Sequence, residues 1–207
     1  MASDLLQRVV DAVPVGLHRH FKANANEAAL NLGVIAKKHN YTHQQSGMVW
    51  YAEVEHAYRA AAISAGLTSA HNTTVPPGGS FTTINVGGIL VGRFSGPMPM
   101  ATPKRRAKYM RALTAANAAI DTQGALFAPN VNYLLPYASY LSVIDYKSYT
   151  CAHIGFGFLS PCRTRWIEYW SIETLVAAYA PTEQISDHAG SQIPDKVKIT
   201  LKNNDKQ

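Results

Sequence analysis

The hydrophobic pattern makes the first third of the chain helical. Residues 3–14 join a Ser-Asp start to closely spaced apolar side chains, which predicts a short capped helix that ends near Pro14. Apolar residues at three-to-four spacing predict a second helix over residues 24–39 and a third from Ser46 to a stop at Gly66. We therefore expect residues 1–70 to form a helical N-terminal region.

The middle of the chain changes to a strand-like pattern. The Pro-Pro-Gly-Gly run at 76–79 excludes a continuous helix. Residues 81–94 are rich in Thr, Ile and Val, which predicts one strand or a hairpin that turns at Gly87-Gly88. Helices are predicted again over residues 103–120 and 163–180, the latter ended by Pro181, and residues 196–201 predict a final strand.

These elements predict an α+β fold. We expect a small, mostly antiparallel sheet flanked by helices, with the helical part at the N-terminus. The predicted organisation is a helical region over 1–70, an α+β core with long loops over 71–190, and a C-terminal tail or strand over 191–207.

Composition agrees with a folded domain. The chain has 207 residues, 47% of them hydrophobic and 15% charged, and a disordered chain would show the opposite balance. No apolar run reaches the roughly 18 residues of a membrane span, so we expect no membrane partner. The N-terminus lacks the apolar segment of a secretory signal.

Positive charge is concentrated in one predicted helix. The formal net charge is +6, and residues 104–111 hold five cations and no acid. These candidate contacts to DNA or to an acidic partner are Lys104, Arg105, Arg106, Lys108 and Arg111. Cations in a first helical turn oppose the helix dipole, and a partner's phosphate or carboxylate would offset that cost. A solvated helix face is the alternative interpretation.

A weak metal-site pattern accompanies these cations. Asp145 and Lys147 have the spacing of half of a metal-dependent nuclease site, and Asp121 is the nearest upstream carboxylate for a divalent cation. Short Asp-x-Lys matches occur often by chance. The alternative is a solvated or ion-paired Asp145 and Lys147.

No other catalytic or metal-binding pattern is convincing. Cys151, His153 and Cys162 lie close in sequence, but zinc sites use more closely paired cysteines. A disulfide between the two cysteines stays open. No nucleophile-elbow or phosphate-loop motif is present. We therefore expect no metal, no cofactor and no catalysis, which favours a binding or structural role.

Large rings are dense between residues 133 and 170. Rings supply much buried area and are also enriched at protein interfaces, so a domain core and docking surfaces are both possible uses. The ten rings are Tyr133, Tyr137, Tyr140, Tyr146, Tyr149, Phe156, Phe158, Trp166, Tyr169 and Trp170.

One segment is similar to a known family. Residues 132–141 contain Asn132, Pro136-Tyr137-Ala138 and Leu141, and resemble the N-x-x-P-Y-A-x-x-L stretch of the neck or tail-completion proteins of tailed bacteriophages. The Phe158–Cys162 turn and the predicted helix after it are similar to that family's closing turn and helix, and residues 75–81 are faintly similar to its glycine turn.

The resemblance implies a ring-forming head-to-tail connector of the virion, made in the host cytoplasm. Its partners would be copies of itself, the portal or adaptor side, the tail-tube side and, at the basic helix, packaged DNA. Ring subunits need two different faces, because head-to-tail contacts close into a cycle. The candidate interface residues are Pro136, Tyr137, Tyr140, Phe158, Trp166 and Trp170.

Two other functions stay open. A DNA-binding protein or metal-dependent nuclease would use the basic helix 103–120, with Asp121, Asp145 and Lys147 as its metal-site candidates. A soluble bacterial effector or immunity-type partner is the third possibility.

Overall fold

The structure is a computed structural model that describes residues 3–74, 80–103, 108–121 and 135–179. The Pro-Pro-Gly-Gly run, the tail with its predicted strand at 196–201, and Lys104, Arg105 and Arg106 lie outside these residues.

Three helices form the N-terminal part, as the sequence predicts. The helices are α1 (Asp4–Ala12), α2 (Val15–His39) and α3 (His43–Ser64). Ser3 caps α1 by accepting a hydrogen bond from the Leu6 backbone N–H. The prediction for α2 starts nine residues too late. Pro14 lies just after α1 and is also the N-cap residue of α2, so the second helix begins directly at Val15.

The start of α3 was also predicted too late. Thr42 and Gln45 form a reciprocal capping box, so the helix begins at His43. Ser46, the expected start, lies buried one turn further in.

In the described ranges, six strands form one sheet in chain order. They are β1 (Ser69–Thr73), β2 (Ser80–Val86), β3 (Ile89–Ser95), β4 (Tyr137–Asp145), β5 (Thr150–Leu159) and β6 (Trp166–Ser171). Among these six described strands, the β3–β4 pair is parallel and the other four neighbouring pairs are antiparallel. The α+β class and the mostly antiparallel sheet are therefore confirmed.

The predicted hairpin is present. Gly87 and Gly88 adopt positive φ values of 54° and 75°, which a two-residue turn between β2 and β3 requires. The short strand β1, which the sequence analysis did not predict, pairs with β2 on the side away from β3.

The predicted helix over residues 163–180 is wrong for its first half. Residues Trp166–Ser171 form β6, and only Ile172–Ala178 form a helix, α5. Tyr169 and Trp170 belong to opposite faces of the sheet, as successive strand residues do. A register shift between Glu168 and Trp166 then places Trp166 on the same face as Tyr169. Ser171 then caps α5 through the Thr174 backbone N–H.

The α-helical part of the basic helix ends at Ala115, before the predicted end at residue 120. Helix α4 covers Lys108–Ala115, and a 3-10 turn follows over Ala116–Ala119. Asn117 in that turn is buried and binds both neighbouring strands: it donates to the carbonyls of Tyr137 and Leu159 at 2.8 and 2.7 Å and accepts from the Tyr137 N–H at 2.7 Å. This clamp fixes where β4 begins.

The two faces of the sheet are covered differently. The three N-terminal helices and α5 pack on one face and share a large core cluster with residues such as Ile84, Tyr140 and Phe156. On the second face, α4 and the loop after β3 cover a smaller cluster that includes Phe94, Met110 and Leu141. The division of the chain at residues 70 and 190 stays a prediction.

Candidate functional site

Three of the six candidate interface residues are buried in the central strands of the sheet. Tyr137, Tyr140 and Phe158 are at most 1% exposed. They were expected to dock on neighbours, and that expectation is wrong, because β4 and β5 lie inside the sheet and their side chains fill the core on both faces. Pro136, Trp166 and Trp170 are half-buried.

Tyr140 belongs to a buried hydrogen-bond chain. The Tyr179 hydroxyl donates to the Val13 carbonyl at 2.6 Å, so its oxygen accepts from His18 Nε2 at 3.0 Å. His18 Nδ1 must then accept from the Tyr140 hydroxyl at 2.6 Å. These hydrogen bonds therefore fix one tautomer of His18 and connect the ends of α1 and α5 to α2 and β4.

Burial keeps His18 uncharged. The side chain is fully enclosed, and this desolvation lowers its pKa to about 3. Burial also raises the pKa of Tyr140 well above its ordinary value. Both groups stay neutral near neutral pH. The hydrogen bonds among Tyr179, His18 and Tyr140 therefore have a structural role and do not form an acid–base pair.

A second buried polar centre joins α3 to β3. Arg93 Nε donates to Glu55 Oε2 at 2.6 Å, and Nη2 donates to the Tyr51 carbonyl at 2.8 Å. The guanidinium lies over the Tyr51 ring, 4.4 Å from its centroid. The Arg93 and Glu55 side chains are 1% and 12% exposed. Sequence analysis missed this pair, since two opposite charges 38 residues apart give no local pattern.

The aromatic environment of this centre extends to α4. The Tyr109 ring stacks on Phe81 with centroids 4.3 Å apart. Burial, with the nearby Tyr51 as a smaller cause, raises the pKa of Tyr109 to about 12. Tyr109 of α4 is thus held against Phe81, near the start of β2, as a neutral phenol.

The predicted nuclease site is not assembled. Asp121 pairs with Arg165 and follows the Asn117 clamp at the start of β4. Asp145 is the last residue of β4, and nine strand residues separate the two ends by roughly 26 Å. Asp121, Asp145 and Lys147 therefore cannot share one metal ion.

Asp145 has a local role instead. It accepts hydrogen bonds from the Ser148 hydroxyl at 2.7 Å and the Lys147 backbone N–H at 2.9 Å, and these lower its pKa. The carboxylate therefore stabilises the turn between β4 and β5.

The cysteines are unpaired. Burial raises the pKa of Cys151 to about 11, whereas hydrogen bonds from the Ser160 and Thr164 side chains lower the pKa of the exposed Cys162 to about 7. His153 contacts the Tyr169 hydroxyl at 2.5 Å. Within the described ranges, no three His, Cys, Asp or Glu side chains are grouped to hold a metal ion.

The basic segment is only partly described. Lys108 is the first residue of α4, and Arg111 is exposed on that helix. The contact of Lys104, Arg105, Arg106, Lys108 and Arg111 with DNA or an acidic partner stays a prediction.

The first and last strands of the sheet each have one edge that no described strand pairs with. In the part of the chain that the structure describes, β1 pairs only with β2, and β6 only with β5. Backbone groups of successive strand residues point to alternate sides. The two-residue turn makes Val86 and Ile89 a hydrogen-bonded pair. Given the register of β1 with β2, the backbone N–H and C=O groups of Ser69, His71 and Thr73 therefore point away from β2.

The same alternation fixes the outward residues of β6. The Leu90 N–H bonds to the Pro136 carbonyl and sets which residues of β4 point toward β3. Following the registers from β4 to β5 and from β5 to β6 shows where the backbone groups of β6 point. The N–H and C=O of Trp170 point toward β5, and those of Tyr169 and Ser171 point away from the sheet. Each molecule thus presents two strand edges on opposite sides of one sheet.

No helix in the described ranges combines the length and apolar character needed to cross a bilayer. Searches for similarity found no family model, no curated protein and no solved structure that matches the chain.

Proposed function

We propose that this chain is a structural subunit that assembles with copies of itself, as the ring-forming head-to-tail connector of a bacteriophage neck. The observation that carries the proposal is the open sheet: among the described residues, the outer edges of β1 and β6 are not paired with a strand. An unpaired strand edge is a template for pairing with another chain.

The edge strand β1 has little protection against such pairing. Its sequence, Ser-Ala-His-Asn-Thr, contains neither a lysine nor a proline, the residues that commonly block edges. Its residues are exposed or half-exposed. Opposite edges on one subunit also supply the two different surfaces that a closed ring of head-to-tail contacts needs.

The resemblance of residues 132–141 to phage neck proteins supports the proposal that the assembly belongs to the virion. Tyr137 and Ala138 of its Pro-Tyr-Ala segment begin β4, so these two residues belong to the sheet rather than to a docking loop. In the ring, one side would meet the portal or adaptor and the other the tail tube. The basic segment around Arg111 would face packaged DNA or an acidic neighbour, and the subunit would act without catalysis.

The mass of the purified full chain tests the assembly. Mass photometry and negative-stain images over a wide concentration range are expected to show one closed species with a fixed number of copies. A chain that stays monomeric at every concentration contradicts the proposal.

The virion location needs a separate test. Quantitative proteomics of purified phage particles should find the chain in a fixed ratio to the portal subunits. Its absence from particles that contain portal and tail-tube proteins contradicts the neck location while leaving self-assembly intact.

A further inference from the structure

The strand directions determine how two copies can join. Strands β1 and β3 are each antiparallel to β2, β3 is parallel to β4, and β4 and β6 are each antiparallel to β5. The two edge strands therefore run in the same direction. A rotation about an axis along the strands preserves this direction from one copy to the next.

We infer that the β6 edge of one copy pairs in parallel with the β1 edge of a second copy, which extends the six-stranded sheet around the ring. This inference rests on the proposed self-assembly and specifies its surface. A two-fold dimer through two β1 edges or two β6 edges would instead require an antiparallel ladder, because a perpendicular two-fold axis reverses strand direction.

The two edges match in length and in hydrogen-bonding groups. β1 has five residues and β6 has six. Tyr169 directs its backbone outward, so in a parallel ladder it would bond to two outward residues of β1, such as His71 and Thr73. Helices of both copies then lie on the same side of the joined sheet.

Side chains at the joint are also complementary. His71 pairs with Thr82 in the sheet and Glu168 with Phe158, which places both side chains on the face that carries the N-terminal helices. The inferred register brings the Glu168 carboxylate beside the imidazole of the neighbouring copy. Glu168 already accepts a hydrogen bond from Ser3, and His71 is exposed.

Cysteine cross-linking in the full chain tests this geometry. Cys162→Ser removes the exposed native thiol, and His71→Cys and Glu168→Cys are then introduced singly and together. Opposite strand residues are close enough for a disulfide. A mixture of the two single variants should form cross-linked dimers on mild oxidation, each single variant alone should remain uncross-linked, and the double variant should give a ladder up to the full ring.

The outcomes separate this inference from the proposed function. Efficient dimers of either single variant alone would show a two-fold edge contact and overturn the inference. Rings that persist while the mixture and the double variant give no cross-link would overturn it too, but leave self-assembly in place. Absence of any assembly in the wild-type chain contradicts the proposed function itself.

Discussion

The central and edge strands of this sheet differ in what their side chains and backbones can do. In β4 and β5, Tyr137, Tyr140 and Phe158 are enclosed and both strand edges are paired. In β1, side chains are largely exposed and one backbone edge has no strand partner in the described ranges. The aromatic side chains of the central strands therefore stabilise the fold, whereas the proposed pairing with another copy would use the backbone of the edge strands.

This difference separates two kinds of substitution. Changes in the central strands and their helix contacts should lower the free energy of unfolding of one subunit. Changes at an edge should alter assembly and leave the subunit folded.

The largest loss of stability is expected from Glu55→Ala. The substitution leaves the guanidinium of Arg93 buried without its carboxylate, which should cost about 3–5 kcal/mol in a urea unfolding experiment. The double variant Glu55→Leu/Arg93→Met is the control, because it removes both charges and should recover much of the loss. A single variant as stable as wild type would show that the pair is hydrated and unimportant.

A smaller loss is expected from Tyr140→Phe. The variant keeps the ring but leaves His18 Nδ1 without its donor, at a cost of about 1–3 kcal/mol. Tyr149→Phe, in the half-buried turn between β4 and β5, is the matched control and should change stability by less than about 0.5 kcal/mol. Equal effects of the two changes would contradict the buried hydrogen-bond chain.

His18 should also make stability depend on pH. Its pKa is lowered to about 3 in the folded chain, so between that value and its ordinary pKa of 6.5 the unfolded chain binds the extra proton. The contribution of His18 is thus complete above pH 6.5 and is lost as pH falls, by up to about 1.4 kcal/mol per pH unit.

Unfolding midpoints between pH 7 and pH 5 isolate this effect, since carboxylates with lowered pKa values, such as Asp145 and Glu173, titrate at more acidic pH. His153, whose pKa burial also lowers, is replaced by Gln in the reference protein. His18→Gln in that background should flatten the dependence. An unchanged slope would mean that His18 is protonated in the folded chain.

The smallest effect on subunit stability is expected at the β1 edge. His71→Pro removes an N–H that points away from β2, so no hydrogen bond within the subunit is lost. At concentrations where the chain is monomeric, its free energy of unfolding should stay within about 0.5 kcal/mol of that of His71→Ala. A large loss would show that the backbone of His71 is used inside the subunit.

Local patterns predicted much of the fold. Ser3, Pro14 and the Gly87-Gly88 turn marked element ends correctly because caps and tight turns depend on adjacent residues. The 163–180 segment misled because Trp166, Trp170 and nearby apolar residues fit a helical spacing, whereas pairing with β5 makes the first half a strand. Tertiary pairing overrides local preference in such segments.

The candidate site was less predictable. The Glu55–Arg93 pair and the His18 chain join residues far apart in sequence, and the buried state of Tyr137 follows from the position of β4 between β3 and β5. A single sequence also does not show which strands lie at the edges of the sheet, because that depends on the strand order.

The most direct test of self-assembly through the sheet edges is the mass in solution of the wild-type chain beside His71→Ala and His71→Pro, measured by sedimentation velocity at equal concentrations. The account predicts one closed oligomer for wild type and for His71→Ala, and folded monomers or incomplete rings for His71→Pro. An oligomer of unchanged mass and stability in His71→Pro, or a wild-type chain that is monomeric throughout, would contradict it.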